Sequence, residues 1–203
     1  VYNWLEEAHR FAPSLNAVAV TGTAAARAGI IHRLKQKGGK SDLRQTDLLK
    51  ADLLITSYDL LKRDIAEYDE VTFRFEIIDE AQYIKTHTTA AAKSVKLIRA
   101  VTKFALTGTP IENRLSELWS IFDYLMPGFL FAYDSFRTQM EVPIVKNEDE
   151  EVLERLHKMI APFILRRIKR DVLRDLPDKL EEIRYAGMES KQQKLYDAQV
   201  IRM

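Results

Sequence analysis

Short apolar runs alternate with helical patterns along the first half of the chain. Four runs predict strands: AVAV at 17–20, LLIT at 53–56, EIID at 76–79 and KFALT at 103–107. The segments between them, at 24–36, 57–68 and 88–101, carry apolar residues three and four positions apart, which indicates helices. Nearly continuous apolar strands separated by such helices predict an α/β fold, with a parallel sheet covered by helices on both faces.

After Pro127 the pattern becomes helical. AYDSFRTQM at 132–140 and EDEEVLERLHKMIAPF at 148–163 are predicted helices, and Asn147 is expected to cap the second one. We therefore place a helical block at 128–187, after an α/β domain at 1–127.

The last part of the chain predicts a strand followed by a helix. LEEIRYAGM at 180–188 has strand character, and SKQQKLYDAQ is expected to begin a helix capped by Ser190. Residues 188–203 are interpreted as the start of a further domain.

Composition narrows the classes of protein only slightly. The 203 residues carry a net charge of +1 and no cysteine, which excludes disulfides and cysteine-ligated zinc. No apolar run approaches the roughly 20 residues that a membrane span needs. A net charge near zero neither predicts nor excludes a nucleic-acid partner, because basic residues can concentrate in one cleft.

A Gly-Gly-Lys-Ser sequence at 38–41 resembles half of a phosphate-binding loop. The full pattern requires glycine five positions before Gly39, where this chain has Leu34, and a strand before the loop instead of the predicted helix. We interpret the segment as a solvated loop after a helix, so phosphate chemistry must come from elsewhere.

Two adjacent carboxylates follow the third predicted strand, in FEIIDEAQYIK at 75–85. At the carboxyl edge of a parallel sheet, Asp79 could hold Mg²⁺ through water and Glu80 could deprotonate an attacking water. The alternative is that this pair begins the next helix as a cap and a partner of the helix dipole.

The fourth strand runs into a hydroxyl-bearing turn, Thr107-Gly108-Thr109-Pro110. Its threonine side chains could bond phosphate oxygens or a neighbouring carboxylate. Such a turn is common after strands and is weak evidence by itself. It is strong evidence for phosphate chemistry here because it follows a strand that ends in Asp-Glu-Ala-Gln.

The order of these motifs resembles the first motor lobe of the Swi/Snf-type ATPases, the double-stranded-DNA translocases of helicase superfamily two. The resemblance rests on NWLEEAHRFAP, DLLITSYDLLKRD, DEAQYIK, LTGTPIENRLSELWSIFDYLMPG and PFILRRIKRDVLRDLPDKLE, and covers nearly the whole chain. The sequences of these motifs are most similar to those of bacterial members, and this resemblance implies a cytoplasmic, nucleoid-associated protein. A RecA-like lobe is the implied fold.

The resemblance also implies roles for individual residues. It makes Asp79 the Mg²⁺ residue, Glu80 the general base and Gln82 a contact of the γ-phosphate. It implies one further group that couples nucleotide state to DNA: Thr107, Gly108 and Thr109. It implies another group that approaches the DNA backbone: Thr56, Ser57 and Tyr58. An N-cap made by Thr56 or Ser57 is an equally open reading of that last group.

ATP, Mg²⁺, sequence-independent double-stranded DNA and a second motor lobe are the implied cofactors and partners. The family's P-loop and its strand would precede Val1, so we expect these 203 residues alone to be inactive and to self-associate through exposed sheet edges. A degenerate lobe that docks DNA or protein without catalysis is the alternative, and an unrelated acid–base enzyme is a third reading. Trp4 and Trp119 are expected to be packing residues.

Overall fold

The structure is a computed structural model that describes residues 1–35, 51–108, 114–167, 182, 184–185 and 187–201. The Gly-Gly-Lys-Ser segment lies outside these ranges, and so do four of the nine residues of the strand predicted at 180–188. The five residues of that segment that are described form no strand. The chain forms two compact units, Val1–Lys158 and Met159–Met203, and each is described by itself.

Strands and helices alternate in the first unit, as the apolar pattern predicts. The strands are β1 (Ala17–Ala19), β2 (Leu53–Ile55), β3 (Thr72–Ile78) and β4 (Arg99–Ala105). The helices are α1 (Tyr2–Phe11), α2 (Ala24–Lys35), α3 (Tyr58–Asp64), α4 (Ala90–Leu97), α5 (Leu115–Leu125), α6 (Tyr133–Phe136), α7 (Val142–Asn147) and α8 (Glu150–Ile160), which ends just beyond this unit. One helix of the second unit is described, α9 (Ser190–Val200).

The strands pair in parallel, which confirms the predicted α/β class. Ala17 of β1 aligns with Leu53 of β2, and Ile78 of β3 aligns with Ala105 of β4. Within the described ranges these are two separate two-stranded sheets. The helix predicted to reach residue 101 is wrong at its end, because α4 stops at Leu97 and the β-branched, aromatic pattern that follows forms β4.

One face of the β3–β4 sheet carries the core. Ile78 joins a buried cluster with Val95 of α4 and with Ile121 and Tyr124 of α5. On the opposite face, large apolar side chains remain about half exposed: Phe75 at 51%, Ile77 at 57% and Phe104 at 47%. The carboxyl ends of β3 and β4 are therefore supported from one side by α4 and α5.

A buried ion pair joins α2 to α3. The Arg27 guanidinium donates from Nε to Asp64 Oδ2 at 2.5 Å and from Nη2 to Oδ1 at 2.7 Å. Its Nη1 reaches the carbonyl of Gly22 at 2.6 Å. Both side chains are buried, so this forked arrangement fixes how the two helices sit against each other.

Two predicted helix caps are wrong. Asn147 is the last residue of α7, and Asp149 caps α8 by accepting the backbone N–H of Val152 at 3.1 Å. Ser190 is the first residue of α9, and Glu189 caps that helix in a capping box with Gln192. In both cases a nearby acidic side chain provides the acceptor. None of the described helices is long and apolar enough to cross a membrane.

Candidate active site

A short excursion of the backbone places two carboxylates at the end of β3. Leu106 donates its N–H to the carbonyl of Ile78 at 2.8 Å and accepts the N–H of Ala81 at 2.9 Å. Asp79 and Glu80 lie between these two hydrogen bonds and are exposed. Glu80 has a φ of 50°, in the left-handed region, which costs a residue with a side chain of order 1–3 kcal/mol. The surrounding bonds therefore hold a strained conformation at the predicted general base.

Three segments of the chain hold Asp79. Its Oδ1 accepts the backbone N–H of Glu80 at 2.8 Å, and its Oδ2 accepts the indole N–H of Trp4 at 2.9 Å. Its backbone carbonyl accepts the hydroxyl of Tyr58 at 2.8 Å. The predicted Mg²⁺ residue is thus fixed by α1, by the start of α3 and by its own turn.

Sequence reasoning missed the contact made by Trp4. The expectation of a packing role is confirmed for Trp119, which is 6% exposed, but it is wrong for Trp4, which is 46% exposed. The available signal was chemical, since an indole carries a polar N–H that needs an acceptor. No pattern in the sequence indicated that the acceptor would be Asp79, 75 positions further along the chain.

A second line of hydrogen bonds connects Glu80 to the end of β4. Gln82 donates its amide to Glu80 Oε2 at 2.6 Å, and Thr107 donates its hydroxyl to Gln82 Oε1 at 3.0 Å. Gln82 lies in the 3-10 turn Ala81–Ile84, which follows β3 in the chain. The structure therefore brings together three residues that sequence reasoning assigned separately. Gly108 is exposed next to Thr107, and Thr109 lies outside the described residues.

The residues after β2 have hydrogen bonds within the chain. Thr56 donates its hydroxyl to the carbonyl of Val20 at 3.3 Å. Ser57 accepts the N–H of Leu60 at 3.3 Å, which confirms the N-cap reading for Ser57. Because Ser57 acts as an acceptor there, its own O–H hydrogen is left for another partner. Tyr58 also stacks on Tyr83, with ring centroids 5.4 Å apart.

A buried ion pair lies on the covered face of the sheet, three residues before Asp79. Lys103 Nζ is 3.0 Å from Glu76 Oε2, and both side chains are about one-tenth exposed (12% and 11%). The Lys103 ammonium is not oriented for a hydrogen bond to Glu76. Glu76 Oε2 therefore has no hydrogen-bond partner in the described part of the chain. Burial raises the pKa of Glu76 to about 7, and the charge of Lys103 opposes that rise.

The raised pKa of Glu76 predicts a specific dependence of stability on pH. Between the ordinary value of 4.5 and about 7, the folded state binds the proton and the unfolded state does not. Rising pH should therefore lower the free energy of unfolding by up to about 1.4 kcal/mol per pH unit from this residue. Urea titrations of the wild type and of Glu76→Gln across this range measure the effect. A constant difference between the two proteins would contradict it.

The chemistry of the site fits Mg²⁺ held by a single protein carboxylate. Each oxygen of Asp79 accepts one hydrogen bond and has further lone pairs. Among the described residues no group of three or more acidic, histidine or cysteine side chains could form an all-protein metal cage. Mg²⁺ retains several waters and binds proteins through one or two carboxylates together with substrate phosphates, so Asp79 would hold the ion and Glu80 would remain free for proton transfer.

Comparisons with known proteins identify relatives of this chain. The TATA-binding protein-associated factor mot1 of Schizosaccharomyces pombe is 35% identical over 95% of this chain, which spans 10% of that protein. An uncharacterized ATP-dependent helicase of Mycoplasma genitalium is 36% identical over 97% of this chain, which spans 17% of the helicase. The chain thus spans about a tenth to a sixth of these curated relatives.

A solved structure extends the likeness to the fold. The Sulfolobus solfataricus SWI2/SNF2 ATPase core in complex with dsDNA matches the whole chain with a TM-score of 0.69 and 36% identity, and the chain covers 39% of that structure. The lobe is therefore RecA-like, as the motif order predicts. The model of the SNF2-related domain matches residues 1–203, and the chain belongs to this family of ATPases and ATP-dependent helicases.

Proposed function

We propose that this chain is part of an ATP-driven motor that translocates on double-stranded DNA and remodels protein–DNA complexes. The observation that carries the proposal is the hydrogen-bonded series Glu80–Gln82–Thr107 at the carboxyl ends of β3 and β4. Ligands bind at this edge in open α/β sheets. The series gives a physical connection between the proposed base and the turn that follows β4.

The side chains divide the work of hydrolysis in this proposal. Asp79 holds Mg²⁺, which neutralises charge on the phosphates of ATP when it is bound. Glu80 orients the attacking water and accepts its proton. Gln82 donates to Glu80 and accepts from Thr107, so its amide cannot rotate to meet a γ-phosphate without breaking one of these bonds. A change at the γ-phosphate would therefore alter the end of β4.

DNA contact is proposed for the residues after β2. Hydroxyls and backbone N–H groups contact phosphates without reading sequence, which fits a motor that moves along any duplex. Thr56 and Tyr58 already donate their hydroxyl hydrogens to carbonyl groups of the chain. Ser57 is therefore the hydroxyl of the three that we assign to the DNA backbone. A second motor lobe and a cytoplasmic, nucleoid-associated location remain predictions.

The test is ATP hydrolysis by the intact protein, measured without DNA, with single-stranded DNA and with duplex DNA. We expect duplex DNA to give the largest stimulation, and the stimulation should weaken as salt rises because phosphate contacts release counterions. Displacement of a third strand from a triplex, with ATP and not with ADP, measures translocation.

Two results would contradict the proposed motor. A rate of ATP hydrolysis that no form of DNA changes would contradict translocation on DNA. An intact, folded protein that binds duplex DNA but hydrolyses no ATP would favour the alternative, a non-catalytic lobe that docks on DNA or protein.

A further inference from the structure

Of the contacts that hold Asp79, the one from Trp4 comes from farthest away in the sequence. The indole N–H is 2.9 Å from Asp79 Oδ2, while Oδ1 is held by the neighbouring amide of Glu80. Without the indole, Oδ2 would have no hydrogen bond shown in the structure, and the carboxylate is exposed to water. The rotation of this side chain therefore depends on a residue in a different element, α1.

The chemistry of indole suits a positioning role and excludes a catalytic one. Its N–H is a donor only, so Trp4 neither accepts a proton nor ligates a metal ion. A carboxylate oxygen accepts more than one hydrogen bond, which leaves Oδ2 able to meet a water of a metal ion while it holds the indole. Tryptophan also has only two rotatable side-chain bonds, so it holds its partner at a low entropic cost.

Helix α1 holds the backbone of Trp4 in place. Trp4 lies in the ten-residue helix α1, which packs against β1. The same helix bonds to the turn after β1 through Tyr2, whose hydroxyl is 3.5 Å from Thr21 Oγ1. The indole therefore extends from a formed helix towards Asp79, although nearly half of its surface is exposed.

We propose that Trp4 is a positioning residue for Mg²⁺–nucleotide binding, and that its indole N–H orients the Asp79 carboxylate before the metal ion arrives. This inference rests on the proposed function, because it requires Asp79 to be the Mg²⁺ residue. Partners that orient metal-binding side chains affect metal affinity by about 10–100-fold when they are removed. Loss of the indole N–H should therefore weaken the binding of Mg²⁺ with the nucleotide and leave metal-free nucleotide binding unchanged.

The experiment compares Trp4→Phe, Asp79→Ala and the double variant in the intact protein. Trp119→Phe is the matched control, since the indole of Trp119 donates to the carbonyl of Phe131 at 3.2 Å instead. Binding of a fluorescent ADP is titrated with Mg²⁺ for each variant. We expect Trp4→Phe to raise the half-saturating Mg²⁺ concentration at least about tenfold. The control should match the wild type.

The double variant distinguishes positioning from packing. If Trp4 acts through Asp79, Trp4→Phe adds nothing in the Asp79→Ala background, as a thermodynamic cycle requires for a fully coupled pair. An equal further loss in that background would overturn the inference, because it would show that Trp4 acts by another route.

Labelling with 5-fluorotryptophan provides a readout that does not depend on activity or on the folding of Trp4→Phe. The ¹⁹F signal of position 4 should move on Asp79→Ala and on addition of Mg²⁺ with ADP, and that of position 119 should not. A position-4 signal insensitive to Asp79→Ala would overturn the inference.

The two proposals fail in different ways. If Asp79→Ala raises the half-saturating Mg²⁺ concentration and Trp4→Phe behaves as the wild type, the role of Trp4 is wrong and the proposed function stands. If the wild type itself shows no Mg²⁺-dependent nucleotide binding, the proposed function is wrong and the role of Trp4 falls with it.

Discussion

Replacing Glu80 with glutamine should lower the turnover of ATP by about 10²–10⁴-fold, the contribution of a positioned general base. Glutamine keeps the size of the side chain and an oxygen that accepts the bond from Gln82, now made at 2.6 Å. Binding of Mg²⁺–ADP should therefore persist while the chemical step fails. Single-turnover hydrolysis and nucleotide titration, performed on the intact protein, separate these two effects.

The matched control is Glu151→Gln, which neutralises an exposed carboxylate on α8. It should hydrolyse ATP as the wild type does. A Glu80→Gln protein that retains normal turnover would remove Glu80 from the mechanism. Loss of nucleotide binding together with turnover would instead indicate that the strained turn at Glu80 had collapsed.

Replacing Lys103 with methionine should destabilise the protein by about 3–5 kcal/mol at pH 8.5, the typical cost of leaving a buried charge unpaired. Lys103 is 3.0 Å from Glu76, and its ammonium also lies 4.7 Å from the ring centroid of Tyr124. The loss should be smaller at pH 5, where Glu76 binds a proton because its pKa is raised to about 7. Urea denaturation at both pH values measures the difference.

Two further variants test the cause of this loss. Glu76→Leu combined with Lys103→Met removes both charges and should recover most of the stability, because apolar residues of similar size often replace a buried pair without cost. Lys62→Met breaks the exposed pair of Lys62 with Asp59 and should barely change the midpoint. Equal losses for Lys103→Met at both pH values would show that packing, and not charge, is responsible.

Much of the α/β half could be predicted because its strands are apolar runs bounded by turn residues. The pattern located β1 and β2 within one residue at each end, and it located the carboxyl ends of β3 and β4 within two residues. The amino end of β3 was missed because Arg74 interrupts the apolar run, and that of β4 because residues 99–101 were assigned to the preceding helix. Lys103 is accommodated by pairing with Glu76 across the sheet, and a pairing of this kind depends on register between strands 27 residues apart.

The candidate site was predicted in part for a similar reason. Asp79, Glu80, Gln82 and Thr107 are found from motifs, because each follows a strand at the same edge of the sheet. The contact of Trp4 could not be found in this way, since it depends on where α1 lies relative to β3. Helix caps were misplaced by one or two residues because several adjacent polar residues could serve, and local geometry selected Asp149 and Glu189.

The link that Leu106 makes on both sides of the Asp79–Glu80 excursion uses only main-chain atoms. Its strength is therefore independent of the amino acid at position 106, with the exception of proline, which lacks the N–H that Ile78 accepts. Mutation can change this residue through neutral drift without disturbing the turn. A survey of correlated substitutions would consequently find no trace of the contact that holds the two strand ends together.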